Sequence, residues 1–275
     1  MGINDLSLAR KLTERVQEAS QGIETGTAPI LDQVTETTAE LLKWWFQQDF
    51  CDLRPFNFHP GQRQAILNTI YAHEVLGTVT LDGLYGEIAP EVMLESARAA
   101  QQIRAEKNAY PKYCLKMATG TGKTWVLQAL LIWSMLNANR DQSGGGRFTR
   151  NFLIVAPGLI VYDRLLDAFQ GKERGGERSF DNSDLYSFRE LFLPDAYREE
   201  VFRFVQSTFC AKQEIGRKVT SGGLIAVTNW QAIKDDSELE DDEDVDAPGD
   251  TPDPKRVIQD LLPLTPGTSQ GNDLN

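Results

Sequence analysis

The chain has 275 residues, 41% of them apolar, which is enough to fill a core without disulfide or metal staples and sits between one large and two ordinary domains. Its net charge of −12 counts against nucleic acid only until it is mapped: residues 235–253 hold 11 of the 40 acidic residues and no Lys or Arg, leaving 29 acids against 28 bases elsewhere. Cys51, Cys114 and Cys210 lie far apart, and only His59 and His73 add imidazoles, so no zinc spacing is present and a reduced, cytoplasmic setting fits. The longest apolar run, 125–136, is interrupted by Gln128 and Ser134 and falls well short of the roughly 18 residues a bilayer span needs. The N-terminal MGINDLSLARK has no apolar signal core, and Leu6 stands where a myristoylation pattern wants Ser or Thr.

In chain order, residues 5–21 read as a polar helix, and 30–48 as a second helix with Leu31, Val34, Thr38, Leu41, Leu42, Trp45 and Phe46 on one stripe. The aromatic knot of Trp44, Trp45, Phe46, Phe50, Phe56 and Phe58 reads as core packing. A helix is expected over 60–73, with Pro60 at its start, then a less regular stretch and an Ala- and Glu-rich helix over 90–107. Residues 113–117 read as a short strand, 118–124 as a Gly-rich turn, and 123–137 as a helix apolar nearly all round and therefore buried. A second strand at 151–156, a helix over 161–169, helical material at 187–206 and a central strand at 224–228 complete an alternation that points to a parallel sheet. The acidic tract to Pro254 reads as a disordered linker, followed by a short helix and a polar tail.

The chemistry is concentrated in Ala118-Thr119-Gly120-Thr121-Gly122-Lys123-Thr124. Two glycines let the backbone curl so that successive N–H groups face phosphate oxygens, and the following helix adds the partial positive charge of its N-terminus. Lys123 is placed to reach the β- and γ-phosphates and Thr124 to ligate magnesium, which makes these two the candidate catalytic residues and the whole loop the candidate ATP site. Met117 stands where the general phosphate-loop pattern has its first glycine, so a simple strand-to-helix turn is the competing reading.

With that substitution, MATGTGKT resembles motif I of superfamily 2 DEAD/DEAH-type helicases, and especially the ATPase (Res) subunit of type III restriction enzymes. The stretch from Leu153 to Leu165, a strand ending in Pro157-Gly158 and then Asp163-Arg164, is similar to motif Ia, which in the family faces the nucleic-acid backbone. Residues 59–66 resemble the adenine-reading segment with Gln62 in the glutamine place, and an amide suits adenine because it can accept from the N6 amino group and donate to N7. Residues 53–57 resemble the same segment with Asn57 replacing the glutamine, so the assignment stays open here. The long spacing from Gln62 to Lys123 implies an inserted helical element near 75–112, and 224–231 looks like the strand ending in Thr-Asn that precedes the Asp-Glu box. No apolar strand ending in Asp-Glu follows residue 229; Asp242-Glu243 lies in the acidic run.

The resemblance covers about 53–233 and implies an α/β fold: a P-loop RecA-like parallel sheet flanked by helices, an incomplete first motor lobe, behind an N-terminal helical region. The expected divisions are 1–52 helical, 53–112 adenine-motif-like segment and helical insert, 113–233 partial ATPase lobe and 234–275 acidic linker and tail. The implied function is the ATP- and Mg2+-binding front part of a DNA helicase or translocase acting on duplex DNA, with a modification methyltransferase subunit and a missing C-terminal motor or nuclease part as partners. A nucleotide-binding or protein-interaction module without motor activity is the alternative. A phosphotransferase or GTPase fits less well, since no NKxD base-reading motif is present. Arg147, Arg150, Arg164, Arg174 and Arg178 form a candidate DNA-facing edge, although scattered arginines usually serve solubility and surface pairing.

Overall fold

The computed structural model describes residues 7–78, 80–110, 112–140 and 146–232, and these divide into two compact units, 7–148 with 190–194 and 149–189 with 195–232. The acidic tract and the expected helix and tail after it lie outside the described residues. No helix among the described residues is long and apolar enough to cross a membrane.

The first unit is helical. It contains α1 (Ser7–Ala19), α2 (Glu36–Phe46), α3 (Gln48–Cys51), α4 (Pro60–Ile70), α5 (Leu81–Ile88), α6 (Pro90–Glu95), α7 (Ala97–Ile103) and α8 (Lys123–Arg140). The helix expected over 30–48 is split, because Thr35 leaves the helical path and caps α2, its hydroxyl accepting from Thr38 N at 3.2 Å. Ser96 divides 90–107 in the same way, capping α7 through Ala99 N at 3.2 Å. In the stretch read as irregular, Thr80 caps α5 by accepting from Gly83 N at 3.0 Å.

The core of this unit lies between α8, α2 and α4, where Leu41, Leu42, Trp45, Ile66, Ile70 and Ile132 are at most 1% exposed. Each such side chain contributes on the order of 1.5–3 kcal/mol by leaving water. Half of the aromatic knot is core: Trp45 packs edge-on and Phe46 tilted against Phe58, and Phe58 edge-on against Phe192, at about 6 Å between ring centroids, whereas Trp44 and Phe50 are half-buried and Phe56 is exposed. Below α4 a single π-helical turn, Tyr71–Val75, brings the buried Glu74 carboxylate against Thr38 Oγ1 at 2.7 Å and Trp133 Nε1 at 3.1 Å. A buried carboxyl group of this kind is tolerated because donors surround it, and these donors tie α4 to α2 and to the middle of α8.

Residues 112–118 depart from expectation. Exposed Lys112, Cys114 and Lys116 alternate with half-buried Tyr113, Leu115 and Met117, the periodicity of a strand, yet the segment pairs with no strand among the described residues. Cys114, read as strand packing, is exposed.

The second unit holds β1 (Asn151–Ala156), α9 (Leu159–Gln170), a two-stranded ribbon of β2 (Glu173–Arg174) and β3 (Glu177–Arg178), α10 (Asp184–Ser187), the first residue of α11 (Arg189–Phe192), α12 (Asp195–Thr208), β4 (Phe209–Cys210) and β5 (Leu224–Asn229). Residues 190–192 of α11 belong to the first unit. The helical stretch expected at 187–206 breaks at Pro194, which cannot donate within a helix. The sheet is parallel in the order β1-β5-β4, with Asn151 opposite Leu224, Ala156 opposite Asn229 and Phe209 opposite Ile225. As read from its unbroken apolar run, β5 is central, and Ile225, Ala226 and Val227 are fully buried. Helix α9 packs on β1 and β5, and its Phe169 lies 5.8 Å from Phe209 between ring centroids. This is an α/β arrangement, a three-stranded parallel sheet flanked by helices with a helical N-terminal region, consistent with a partial RecA-like lobe.

Candidate nucleotide site

The loop 118–124 and Gln62 belong to the first unit, and the structure brings them together. Gly120 and Gly122 take φ of +80° and +71°, the left-handed conformation that only glycine adopts without strain. The loop then runs into α8, whose first turn closes when Trp125 N donates to Gly122 O at 3.0 Å. Ala118, Thr119, Gly120, Thr121 and Lys123 are exposed, and Gly122 and Thr124 half-buried. Lys123 Nζ donates to Ala118 O at 2.9 Å, and Thr121 Oγ1 donates to the same carbonyl at 2.7 Å, so the ammonium lies across the loop it would use to hold phosphate.

Gln62 is 1% exposed. Its Oε1 accepts from His59 N at 2.8 Å, and its Nε2 donates to Thr121 O at 3.1 Å and to Gly122 O at 3.3 Å. Asn57, the competing residue, is turned elsewhere: its Nδ2 donates to Cys51 O at 3.0 Å and its Oδ1 accepts from Arg54 Nε at 2.7 Å. Between α4 and the loop opens a cavity of about 420 Å³ lined by His59, Gly61, Gln62, Lys116, Met117, Ala118, Gly120 and Thr121. Sequence reasoning had not singled out His59 or Lys116. Their signals were position alone, one three residues before Gln62 and the other on the exposed alternation two residues before the loop.

The donor set fits a magnesium nucleotide. An exposed glycine-shaped loop opening a helix, one ammonium and one hydroxyl at the first two helical positions, and an adjacent cavity are what a polyphosphate and a hard, oxygen-seeking cation require. No group of three or more His, Cys, Asp and Glu side chains able to hold a metal occurs among the described residues.

The other motif-like residues lie in the second unit. Pro157-Gly158 ends β1, and Leu159 and Ile160, 56% and 77% exposed, begin α9. Asn229 ends β5 and is buried, while Trp230 after it is partly exposed. Tyr162 on α9 accepts from Lys212 N at 3.1 Å, and burial pushes its hydroxyl above the usual tyrosine range. Of the five arginines, Arg178 is engaged by Asp167 at 2.6 Å and by Gly171 O at 2.7 Å. Arg147 belongs to the first unit, where its Nη1 donates to Glu74 O at 3.4 Å, while Arg150, Arg164 and Arg174 are exposed in the second.

Neither a curated protein nor a solved structure matches the chain. A family model does: the one described as type III restriction enzyme, res subunit, matches residues 55–245, a span that takes in Gln62, the loop, β1 and β5. The chain belongs to the type III restriction enzyme res-subunit family, whose members are helicase-type ATPases of restriction systems.

Proposed function

We propose that this chain binds ATP with magnesium on Ala118–Thr124 as the nucleotide-holding part of a DNA helicase or translocase of type III restriction type. The observation that carries the reading is the pair of left-handed glycines, Gly120 and Gly122, opening α8 directly at Lys123 and Thr124 in a chain of this family. In this reading the loop amides cradle the phosphates, Lys123 leaves Ala118 O to meet the β- and γ-phosphates, and the Thr124 hydroxyl supplies one oxygen to magnesium. Bound magnesium supplies charge neutralisation at the phosphate oxygens. Residues 1–52 are then an N-terminal helical region, 53–112 the adenine-motif-like segment and a helical insert, 113–233 the partial ATPase lobe and 234–275 an acidic linker and tail.

Duplex DNA is the proposed macromolecular substrate, with Pro157-Gly158 and the start of α9 as the backbone-facing element and a modification methyltransferase subunit as the partner carrying target recognition. The cytoplasm is the proposed location. Of the parts that in-line attack needs, the reading assigns to these residues the phosphate cradle and one oxygen for magnesium.

The test is binding of Mg-ATP by the wild-type chain and by Lys123→Ala, followed by calorimetry. The expected result is saturable binding by the wild type that weakens at least about a hundredfold in the variant, as loss of a charge-assisted phosphate contact requires. Equal binding by the two proteins would remove the site assignment. DNA-stimulated ATP turnover once the lobe is completed separates the motor from a nucleotide-binding module, which shows none.

A further inference from the structure

We infer that Phe192 is a positioning residue for the nucleotide cavity: its ring is the wedge that sets one wall of that cavity against the other. The inference deepens the nucleotide reading above and rests on it. One wall is the start of α4, with His59, Gly61 and Gln62, and the other is the segment 116–121 that leads into α8. Phe58 comes immediately before the first wall, and Trp125 immediately after Thr124. The Phe192 ring meets both edge-on, Phe58 at 6.1 Å between centroids and 67° between planes, and Trp125 at 6.3 Å and 85°. Trp125 in turn closes the first turn of α8 by donating its N–H to Gly122 O at 3.0 Å, so its place is tied to the loop's. Phe192 itself is fully buried and stands behind the cavity, so it acts on a ligand only through these neighbours.

The short segment that carries Phe192 is anchored by side chains. Trp45 Nε1 donates to Phe192 O at 2.9 Å, and Trp44 Nε1 and Arg54 Nη1 donate to Glu190 O at 3.0 and 3.4 Å. A four-residue helix closes few of its own bonds, so its carbonyls need such donors once they are buried. Leu191, Phe192 and Leu193 are each at most 2% exposed, which makes 190–194 a built part of the first unit although the chain enters it at Arg189 and leaves it at Asp195, both residues of the second. Helices α4 and α8 are tied together farther along, where Glu74 accepts from Trp133 Nε1 at 3.1 Å. With that point fixed, the space between their starts is set by what fills it. Stiff aromatic rings meeting edge-on define that space more sharply than flexible chains would. Supporting contacts of this kind hold a binding site to within about half an ångström, the tolerance that a ligand touching both walls demands.

The test is equilibrium binding of Mg-ATP to the wild type, Phe192→Leu, Trp125→Leu, the double variant and Ile88→Ala. Ile88 is the control for a purely structural loss, being 2% exposed in the same unit, in the cluster with Ala72 and Leu84, and no part of the cavity lining. Phe192→Leu and Trp125→Leu are each expected to bind about tenfold more weakly than the wild type while still folded by circular dichroism. The double variant is expected to lose clearly less than the two factors multiplied, because the two rings act through one contact. Ile88→Ala is expected to lower the melting temperature at least as much and to leave the affinity within about twofold. Should Phe192→Leu fail to fold, Phe192→Met, which fills irregular gaps with a flexible chain, takes its place. Wild-type affinity in the folded Phe192 variant would overturn the inference, as would fully multiplied losses in the double variant or an equal loss in Ile88→Ala. Failure of the wild type to bind Mg-ATP would instead overturn the nucleotide reading itself, and the inference with it.

Discussion

Residues 113–117 and β5 are both short apolar runs flanked by turn residues, and the sequence reads each as a strand. Only β5 becomes one, because it has β1 on one side in six-residue register and β4 on the other, so that Ile225–Val227 are sealed from water on both faces. Residues 112–118 keep the strand's alternation, with Tyr113 set against a helical cluster that includes Ala72 and Leu84, but have no ladder among the described residues. Side-chain burial and backbone pairing are therefore separable: the first can be satisfied by helices, and only the second makes a sheet.

The largest effect that would break this contrast is a proline in each segment. Ala226→Pro removes an amide from the central strand and crowds its neighbours, and is expected to cost about 3 kcal/mol or more and to unfold the second unit at lower denaturant concentration. Cys114→Pro falls in a segment with no ladder partner among the described residues and asks only that the preceding residue be extended, and it is expected to cost less than about 1 kcal/mol in the same urea titration. Comparable losses in the two variants would show that 112–118 is paired after all.

A smaller effect sharpens the comparison at the side chains. Cys114 is exposed, whereas Cys210 on β4 is 1% exposed and burial pushes its thiol above the usual cysteine range, against an opposing pull from Lys218. Thiolate is the reactive form, so Cys114 is expected to react first with a disulfide reagent near neutral pH, and Cys210 only as the second unit opens. Mass spectrometry of the labelled peptides reads the order, and early labelling of Cys210 would contradict the burial of β4.

How much could be read beforehand follows the same division between local and distant causes. The loop was legible because Gly-Thr-Gly-Lys-Thr is a backbone prescription as much as a chemical one, and Gly120 and Gly122 fulfil it locally. Strands β1 and β5 were legible because their apolar runs are unbroken, and helix α8 because apolar residues lie nearly all round it. The breaks at Thr35 and Ser96 were missed although both are ordinary capping residues, since an apolar stripe runs past the first and an Ala- and Glu-rich stretch of good helix formers past the second. Gln62 could be singled out by type and spacing, but its partners are two main-chain carbonyls about sixty residues away, a contact no local pattern encodes. Glu74 gave no signal at all, because a buried glutamate in a π turn is recognised only once Thr38 and Trp133 are seen to surround it.

The most direct measurement is hydrogen exchange over 112–126 and 224–229, with and without Mg-ATP. The account predicts slow exchange in β5 in both states, fast exchange at 113–117 in the nucleotide-free protein, and a marked slowing at 118–124 when Mg-ATP is added, as phosphate oxygens take up the loop amides. Exchange at 118–124 that is indifferent to a saturating nucleotide would contradict the placement of the phosphates on this loop.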